Sequence, residues 1–309
     1  LMAGAGLLGS PAWAGCPNGC RASLGAANRT CRTACVPASP GRACRSACQA
    51  ERQAEKLTCR AAETPTPPGC GLADLYVAAS AALNGGGSVS NPYRRITDAV
   101  VRARAERTFG AVPPDEEIRI HVAPGTYVGS YDPAQLQGHA EYEVLPIILN
   151  VPRLAVLGST VLVRDDRGLP TASDSASEAI LEPDKALIPS QSLWLVTRTA
   201  DGAVGNRSTL DGFVLDGTMT ASADQTAGVF VDRVSDFRIS NNIIRRTSFG
   251  VNTRLASGTI EGNLLTGQVE AGASVTGGSL AQPATVVVHA NRAAANALYG
   301  LMGFAGAPV

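Results

Sequence analysis

The sequence predicts an all-β fold, a parallel β-solenoid in which short strands form coils that stack on one another. Two observations predict it: a loose repeat between residues 208 and 302, and the β-branched composition of the repeated segments. The clearest copies are Ile-Ser-Asn-Asn-Ile-Ile at residues 239–244 and Ile-Glu-Gly-Asn-Leu-Leu at residues 260–265. A fixed period of this size is typical of repeat folds, because one unit cannot bury its apolar side alone.

The repeat extends beyond these two copies. A third covers residues 288–293, and a degenerate first copy covers residues 210–215, where Phe213 stands in place of the Asn. The repeated segments are too short for helix pairs, and Asn-Asn, Glu-Gly-Asn and Gly-Gly turns separate them. We therefore expect an aliphatic stack inside the coils and a hydrogen-bonded Asn ladder at one corner. Their expected members are Ile239, Ile260 and Val288 for the stack, and Asn242, Asn263 and Asn291 for the ladder.

The start of the chain has the character of an export signal. The chain has 309 residues, no net formal charge and 45% apolar residues, which suits one large core and a small appendage. Residues 1–14 resemble the remnant of a signal peptide, ending in Ala12-Trp13-Ala14; an ordinary apolar terminus or a lipid-modified Cys16 are the alternatives. No other stretch is long and apolar enough to span a membrane. We expect a secreted, periplasmic or cell-surface protein without a transmembrane segment.

Residues 15–70 hold all eight cysteines and predict a small α-helical hairpin stapled by disulfides. An even number of Cys in an exported chain is typical of disulfide bonding. Two predicted helices, separated by a Pro-containing break at residues 36–41, each carry three Cys on one face. In an antiparallel hairpin the residue numbers of two facing positions have a constant sum, and this sum is 79 for three of the predicted pairs. A metal site is the alternative, but the Cys-x3-Cys spacing and the absence of His disfavour it. The predicted pairs are Cys35–Cys44, Cys31–Cys48, Cys20–Cys59 and Cys16–Cys70.

Charge is distributed unequally along the chain. Residues 15–70 hold eight basic residues against three Glu, a net charge of +5, and the remainder carries −5. A basic hairpin fits docking on an extracellular anionic polysaccharide or on the cell envelope, although a solvated helical face is the simpler interpretation. We expect no nucleic-acid partner.

From residue 71 to residue 309 the sequence predicts the solenoid itself. The segments Leu-Tyr-Val-Ala, Asn-Pro-Tyr-Arg-Arg-Ile and Val-Ala-Pro-Gly-Thr-Tyr between residues 74 and 127 carry a resemblance. They resemble the N-terminal part of secreted right-handed parallel β-helix proteins of the pectate-lyase-like superfamily, including a bacterial branch. The resemblance implies a right-handed parallel β-helix whose N-terminal end is capped by a helix. That helix would present one apolar face, formed by Ile96, Ala99, Val100 and Ala103.

Three further expectations concern the body of the chain. Residues 144–163 predict coil strands, and residues 164–192 predict a long acidic loop. The loop at residues 81–90 has no carboxylate that could hold calcium. We therefore expect no cofactor, and calcium only if the protein is an enzyme. The last coil is incomplete at residue 309, so we expect the natural chain to continue.

Candidate chemistry is sparse. The catalytic motifs of polygalacturonases and pectate lyases, which the resemblance would imply, are absent. Coil alignment places Asp216 beside Arg245, and Asp232 beside Arg254, as weak catalytic candidates. The simpler interpretation is two exposed cross-strand ion pairs. We expect His289 to face solvent, and we see no partner for His121 or His139.

Two hypotheses of function remain. The first is a secreted or cell-surface, non-catalytic β-helix scaffold that binds polysaccharide and needs no cofactor. The alternative is a polysaccharide lyase or glycoside hydrolase that acts on acidic polysaccharide through an atypical site, with calcium as its cofactor. Aromatic residues that would stack on sugars are Tyr127, Tyr131, Tyr142 and Trp194.

Overall fold

A computed structural model describes most of the chain after residue 72. The predicted signal remnant and the cysteine hairpin with its disulfides lie outside the described residues. The chain divides into two compact units, one of residues 73–104 and 114–309, and one that includes residues 105–113. The described ranges are residues 73–109, 111–184, 192–197, 206–217, 226–277 and 285–304.

The described part is mostly β-structure with two α-helices. The helices are α1 (Ile96–Thr108) and α2 (Pro133–Gly138). No helix within the described ranges combines the length and the apolar character that crossing a membrane requires. In chain order the strands are β1 (Asp74–Val77), β2 (Ile118–Val122), β3 (Gly125–Ser130), β4 (Glu143–Val144), β5 (Ile147–Leu149), β6 (Leu154–Gly158), β7 (Leu162–Arg164), β8 (Pro170–Ser173), β9 (Ala179–Pro183), β10 (Ser192–Thr197), β11 (Thr209–Asp211), β12 (Val214–Asp216), β13 (Ala227–Asp232), β14 (Phe237–Ser240), β15 (Ile243–Arg245), β16 (Phe249–Arg254), β17 (Gly258–Glu261), β18 (Leu264–Thr266), β19 (Ala271–Thr276), β20 (Val286–His289), β21 (Arg292–Ala294) and β22 (Tyr299–Phe304).

Three parallel sheets carry the fold. Sheet A has the order β1-β2-β6-β11-β14-β17-β20, sheet B the order β4-β3-β9-β12-β15-β18-β21, and sheet C the order β5-β10-β13-β16-β19-β22. The chain passes from A to B to C and then returns to the next strand of A, as in β11, β12, β13 and β14. Neighbouring strands within each sheet pair in parallel. These stacked coils form the predicted parallel solenoid.

The predicted aliphatic stack lies inside the coils. Ile239 pairs with Ile260 and Ile260 with Val288, and both isoleucines are fully buried. Alternate residues of sheet A point inward because successive side chains of a strand face opposite sides. The inward row of sheet A is Leu75, Ile120, Val156, Leu210, Ile239, Ile260 and Val288.

The predicted Asn ladder lies at the corner between sheets A and B. Asn242 Oδ1 accepts from the Phe213 amide, Asn263 Oδ1 from the Asn242 amide, and Asn291 Oδ1 from the Asn263 amide, each at 2.9 Å. Each Asn Nδ2 also donates to a carbonyl of the coil before it, as from Asn263 to Ile239 at 2.9 Å. These bonds satisfy backbone groups that the tight corner would otherwise bury without partners.

Within residues 96–104, helix α1 contacts strand β4, which is a terminal strand of sheet B. The predicted apolar face of the helix is buried. The buried Glu143 carboxylate of β4 holds its first turn, accepting from the amides of Ile96 at 2.5 Å and Thr97 at 2.8 Å and from Thr97 Oγ1 at 2.6 Å. Burial raises the pKa of Glu143 to about 7, although the bonds from Thr97 and Ile96 and the charge of Arg95 act to lower it.

The expectation of a long loop at residues 164–192 was wrong, and so was that of a coil strand at residues 160–163. Strands β7 and β8 pair as an antiparallel hairpin, and β9 and β10 are coil strands. The hairpin packs through Leu162 on an apolar row on the outer face of sheet B. Arg164 Nη2 donates to Asn241 Oδ1 at 2.6 Å, and Asp165 pairs with Arg292 at 3.4 Å. The row that the hairpin covers comprises Ile180, Val214, Ile243 and Leu264.

Candidate functional site

Asp216 and Arg245 face each other at the ends of β12 and β15, as the coil alignment predicts. Arg245 Nε donates to Asp216 Oδ2 at 2.8 Å, and Arg246 Nε donates to Asp216 Oδ1 at 2.6 Å. The interpretation as an exposed ion pair was wrong, because the Asp216 side chain has no exposed surface. The hydrogen bond to Asp216 raises the pKa of Arg246. Asp216 is thus a buried carboxylate that two arginines neutralise.

Asp232 and Arg254 form a second cluster, at the ends of β13 and β16. Arg254 Nε donates to Asp232 Oδ1 at 2.7 Å, Arg233 Nε donates to Oδ2 at 3.2 Å, and only 9% of the Asp232 side chain is exposed. The exposed-pair interpretation was wrong for this carboxylate too. Its burial acts to raise its pKa, but the bond and charge of Arg254 and the charge of Arg233 outweigh burial and lower it.

The two clusters lie at different corners of the coil. Asp216 ends a strand of sheet B, Asp232 ends a strand of sheet C, and the whole length of β13 lies between the corners. At ~3.3 Å per residue, a six-residue strand such as β13 spans roughly 16 Å. The paired carboxylates of glycoside hydrolases lie about 5–9.5 Å apart. The structure therefore brings each Asp to its Arg, but it does not unite the two carboxylates in one site.

The outer face of sheet A carries a row of polar side chains that sequence reasoning largely missed. His121 Nε2 pairs with Asp74 Oδ1 at 2.8 Å, so the expectation that His121 lacks a partner was wrong. His139 likewise pairs with Glu141 at 3.2 Å. His289 is half exposed, as predicted, and pairs with Glu261 at 2.9 Å. The row is Tyr76, His121, Leu157, Asp211, Ser240, Glu261 and His289, of which Leu157 is apolar and Ser240 is buried.

A cavity of about 340 Å³ opens on the outer face of sheet A, over β1, β2 and β6. Its polar lining includes Tyr76, His121 and Ser159, and its apolar lining includes Val77, Val89, Pro92, Val122 and Leu157. The rings of Tyr76 and His121 stack with centroids 4.9 Å apart and planes inclined by 18°. Leu-Tyr-Val of β1 pairs with Ile-His-Val of β2, although helix α1 separates the two segments in the sequence.

The prediction that four aromatic residues stack on sugars was wrong for at least two of them. Trp194 is fully buried against Phe213, and Tyr127 is buried with its hydroxyl donating to the Ala123 carbonyl at 2.9 Å. The Tyr131 hydroxyl donates to the Ser192 carbonyl. Tyr142 stacks on His139 with ring centroids 4.4 Å apart. These four residues do not form one exposed face.

Among the described residues, no group of three or more His, Cys, Asp or Glu is placed to hold a metal ion. Comparison of the chain with protein-family models, with curated proteins and with solved structures found no match. Function therefore has to be argued from the geometry of the coils.

Proposed function

We propose that the protein is an exported, non-catalytic β-solenoid scaffold that binds polysaccharide. The observation that carries the proposal is the outer face of sheet A, where a row of side chains that is polar except for Leu157 runs along the coils. Ser240 in this row is buried and bonds to Asp211, so its neighbours form the contact surface. Strands of one sheet lie ~4.8 Å apart, so these groups repeat at a short, regular interval that suits a linear polymer. The polar members of the row beyond the cavity are Asp211, Ser240, Glu261 and His289.

The charges on this face are paired within the protein. Glu261 binds both Arg238 and His289, and Asp211 accepts from Ser240 Oγ at 2.5 Å and from Asn241 Nδ2 at 2.7 Å. The catalytic candidates on sheets B and C are held in the same way by arginines. A general base must be available to take a proton from the substrate, and carboxylates held by arginines resist protonation. This pairing supports binding without catalysis.

Export and the handedness of the coil belong to the same proposal. The apolar N-terminal run and the eight cysteines support passage to an oxidising compartment. A right-handed coil is supported by the general rule that connections between parallel strands of one sheet are right-handed in about 98% of cases.

The test is affinity electrophoresis of the full chain in gels that contain pectate, alginate, a neutral glucan or a neutral mannan. Product release from each polymer is measured in parallel, with and without calcium. We expect retardation by at least one polymer and release of no product. Unsaturated products that disappear in Arg245→Ala would establish the lyase alternative, and absence of retardation by every polymer would also overturn the proposal.

A further inference from the structure

The cavity on sheet A has walls that suit the carbon face of a sugar. Its apolar surface comes from Val89, which is 71% exposed at the rim, and from Pro92 and Leu157. Val77 and Val122 alternate with the outward Tyr76 and His121, so their side chains are buried on the core side. Its volume of about 340 Å³ lies at the lower end of the ~300–1,000 Å³ range of small-molecule sites. The faces of the Tyr76 and His121 rings that meet in their stack are not available to a ligand, so contact with the ligand falls to ring edges and aliphatic walls.

Two polar groups of the cavity can hydrogen-bond to a ligand. His121 Nε2 lies 2.8 Å from the Asp74 carboxylate, which leaves Nδ1 as the second hydrogen-bonding atom of the ring. Ser159 Oγ donates to the Ser177 carbonyl at 2.7 Å, so its remaining capacity is to accept. Hydroxyl groups both donate and accept, so a ligand rich in them complements both groups.

No Asp, Glu, Lys or Arg side chain is present among the described residues that line the cavity. The nearby carboxylate of Asp74 is already bound by His121 and lies 3.9 Å from Arg119. An ionised ligand would lose its hydration without gaining a counter-charge, and that loss opposes binding. The site therefore favours an uncharged ligand.

We infer that this cavity is a binding site for a neutral sugar, whose hydroxyl groups hydrogen-bond to His121 and Ser159 and whose carbon face packs on Val89, Pro92 and Leu157. The inference rests on the proposed function and names the sugar class and the place where it binds. Because the cavity is in line with the polar row of sheet A, the bound sugar is a terminal unit of a longer chain that extends along the later coils.

The test is calorimetric titration of the full chain with neutral disaccharides of gluco, galacto and manno configuration and with a uronic-acid disaccharide as the charged comparator. Two variants address the cavity. His121→Ala removes a hydrogen-bonding ring. Its matched control is His139→Ala, which removes a His that also pairs with a carboxylate and stacks on a Tyr but does not line the cavity. Val89→Trp blocks the rim, and its control is Val163→Trp, at an exposed valine of β7 outside the cavity.

We expect at least one neutral disaccharide to bind and the uronic-acid disaccharide to bind at least tenfold more weakly. His121→Ala and Val89→Trp should each weaken binding about tenfold, the equivalent of one lost hydrogen bond or more, while both controls stay within about twofold of the parent. Circular dichroism of each variant establishes that it is folded. Equal or tighter binding of the uronic-acid disaccharide would overturn the assignment to neutral sugars.

The two proposals fail in different ways. If the chain binds a polysaccharide in gels and both cavity variants bind it unchanged, the cavity assignment fails and the scaffold function stands. If the chain binds neither polymers nor disaccharides, both fail.

Discussion

Raising the pH from 4.5 to 8 should destabilise the solenoid through Glu143 alone by about 3 kcal/mol. Its pKa is about 7 in the folded protein, against an ordinary value of 4.5 for Glu. Between these values the folded state keeps a proton that the unfolded state has released, so the free energy of unfolding falls as the pH rises. At about 1.4 kcal/mol per pKa unit, the fall over this pH range is about 3 kcal/mol.

The three hydrogen bonds at this site are compatible with a protonated Glu143. Oε2 accepts two of them and Oε1 accepts one. A protonated carboxyl can still accept three bonds if the hydrogen is on Oε1. In Glu143→Gln, the amide group that replaces one oxygen cannot accept, so at least the bond from Ile96 is lost, at a cost of about 1–3 kcal/mol. The variant should therefore be less stable than the parent at pH 4.5. Because the amide at position 143 does not ionise, the free energy of unfolding of the variant should lack the fall that Glu143 causes in the parent.

The assay is urea unfolding of the parent and of Glu143→Gln at intervals from pH 4.5 to pH 8, followed by the fluorescence of the buried Trp194. The stability of the parent relative to the variant should fall by about 3 kcal/mol over this range. Glu141→Gln is the control, because hydrogen bonds from its own backbone and from His139 lower the pKa of Glu141. This variant retains Glu143, so its free energy of unfolding should fall with rising pH as that of the parent does. A parent that gains stability relative to Glu143→Gln as the pH rises would refute the reasoning, because bonds to the ionised carboxylate would then outweigh burial.

Two further outcomes can be measured by the same unfolding assay, and a third by dye binding and proteolysis. Asn263→Ala should lose about 3 kcal/mol, since it leaves the Asn242 amide and the Ile239 carbonyl buried without partners; a loss below about 0.5 kcal/mol would contradict the ladder. Asp216→Asn should lose about 2 kcal/mol because charged hydrogen bonds to two arginines are weakened, and an unchanged stability would mean that the cluster is only solvated charge. Leu162→Asp should detach the β7–β8 hairpin, detected as new dye binding and faster proteolysis between residues 162 and 173; a protease pattern like that of the parent would refute the packing.

The coils were predictable from the sequence because their period is a direct consequence of stacking. Ile239 and Ile260 occupy equivalent positions only if the coils are in register, and the Asn that follows each one predicts the same register. The pairing of Asp216 with Arg245 came from that alignment. The burial of Asp216 could not be predicted in this way. It depends on which parts of the chain pack over the side chain, and no local sequence pattern encodes that.

Two features escaped prediction for different physical reasons. The β7–β8 hairpin was missed because Leu162 and Val163 have the β-branched and aliphatic character of a coil strand, and only tertiary packing turns them away from the coil. The contact of Asp74 with His121 was missed because helix α1 lies between their strands. The helix interrupts the period that would otherwise have aligned β1 with β2.

The corner ladder has a consequence for how such a chain can change in length. From β11 onward the connections from sheet A to sheet B are two residues long, at 212–213, 241–242, 262–263 and 290–291. In the last three, the second residue is the Asn that meets the amide of the coil before it. The connections from sheet B to sheet C vary in length, from residues 246–248 to residues 217–226, although Asn296 Oδ1 also accepts from the Gln268 amide at 3.1 Å. Insertions and grafted peptides should therefore be tolerated at that second corner and rejected at the ladder. A duplicated coil would join the stack most easily if its ends fell between sheets B and C.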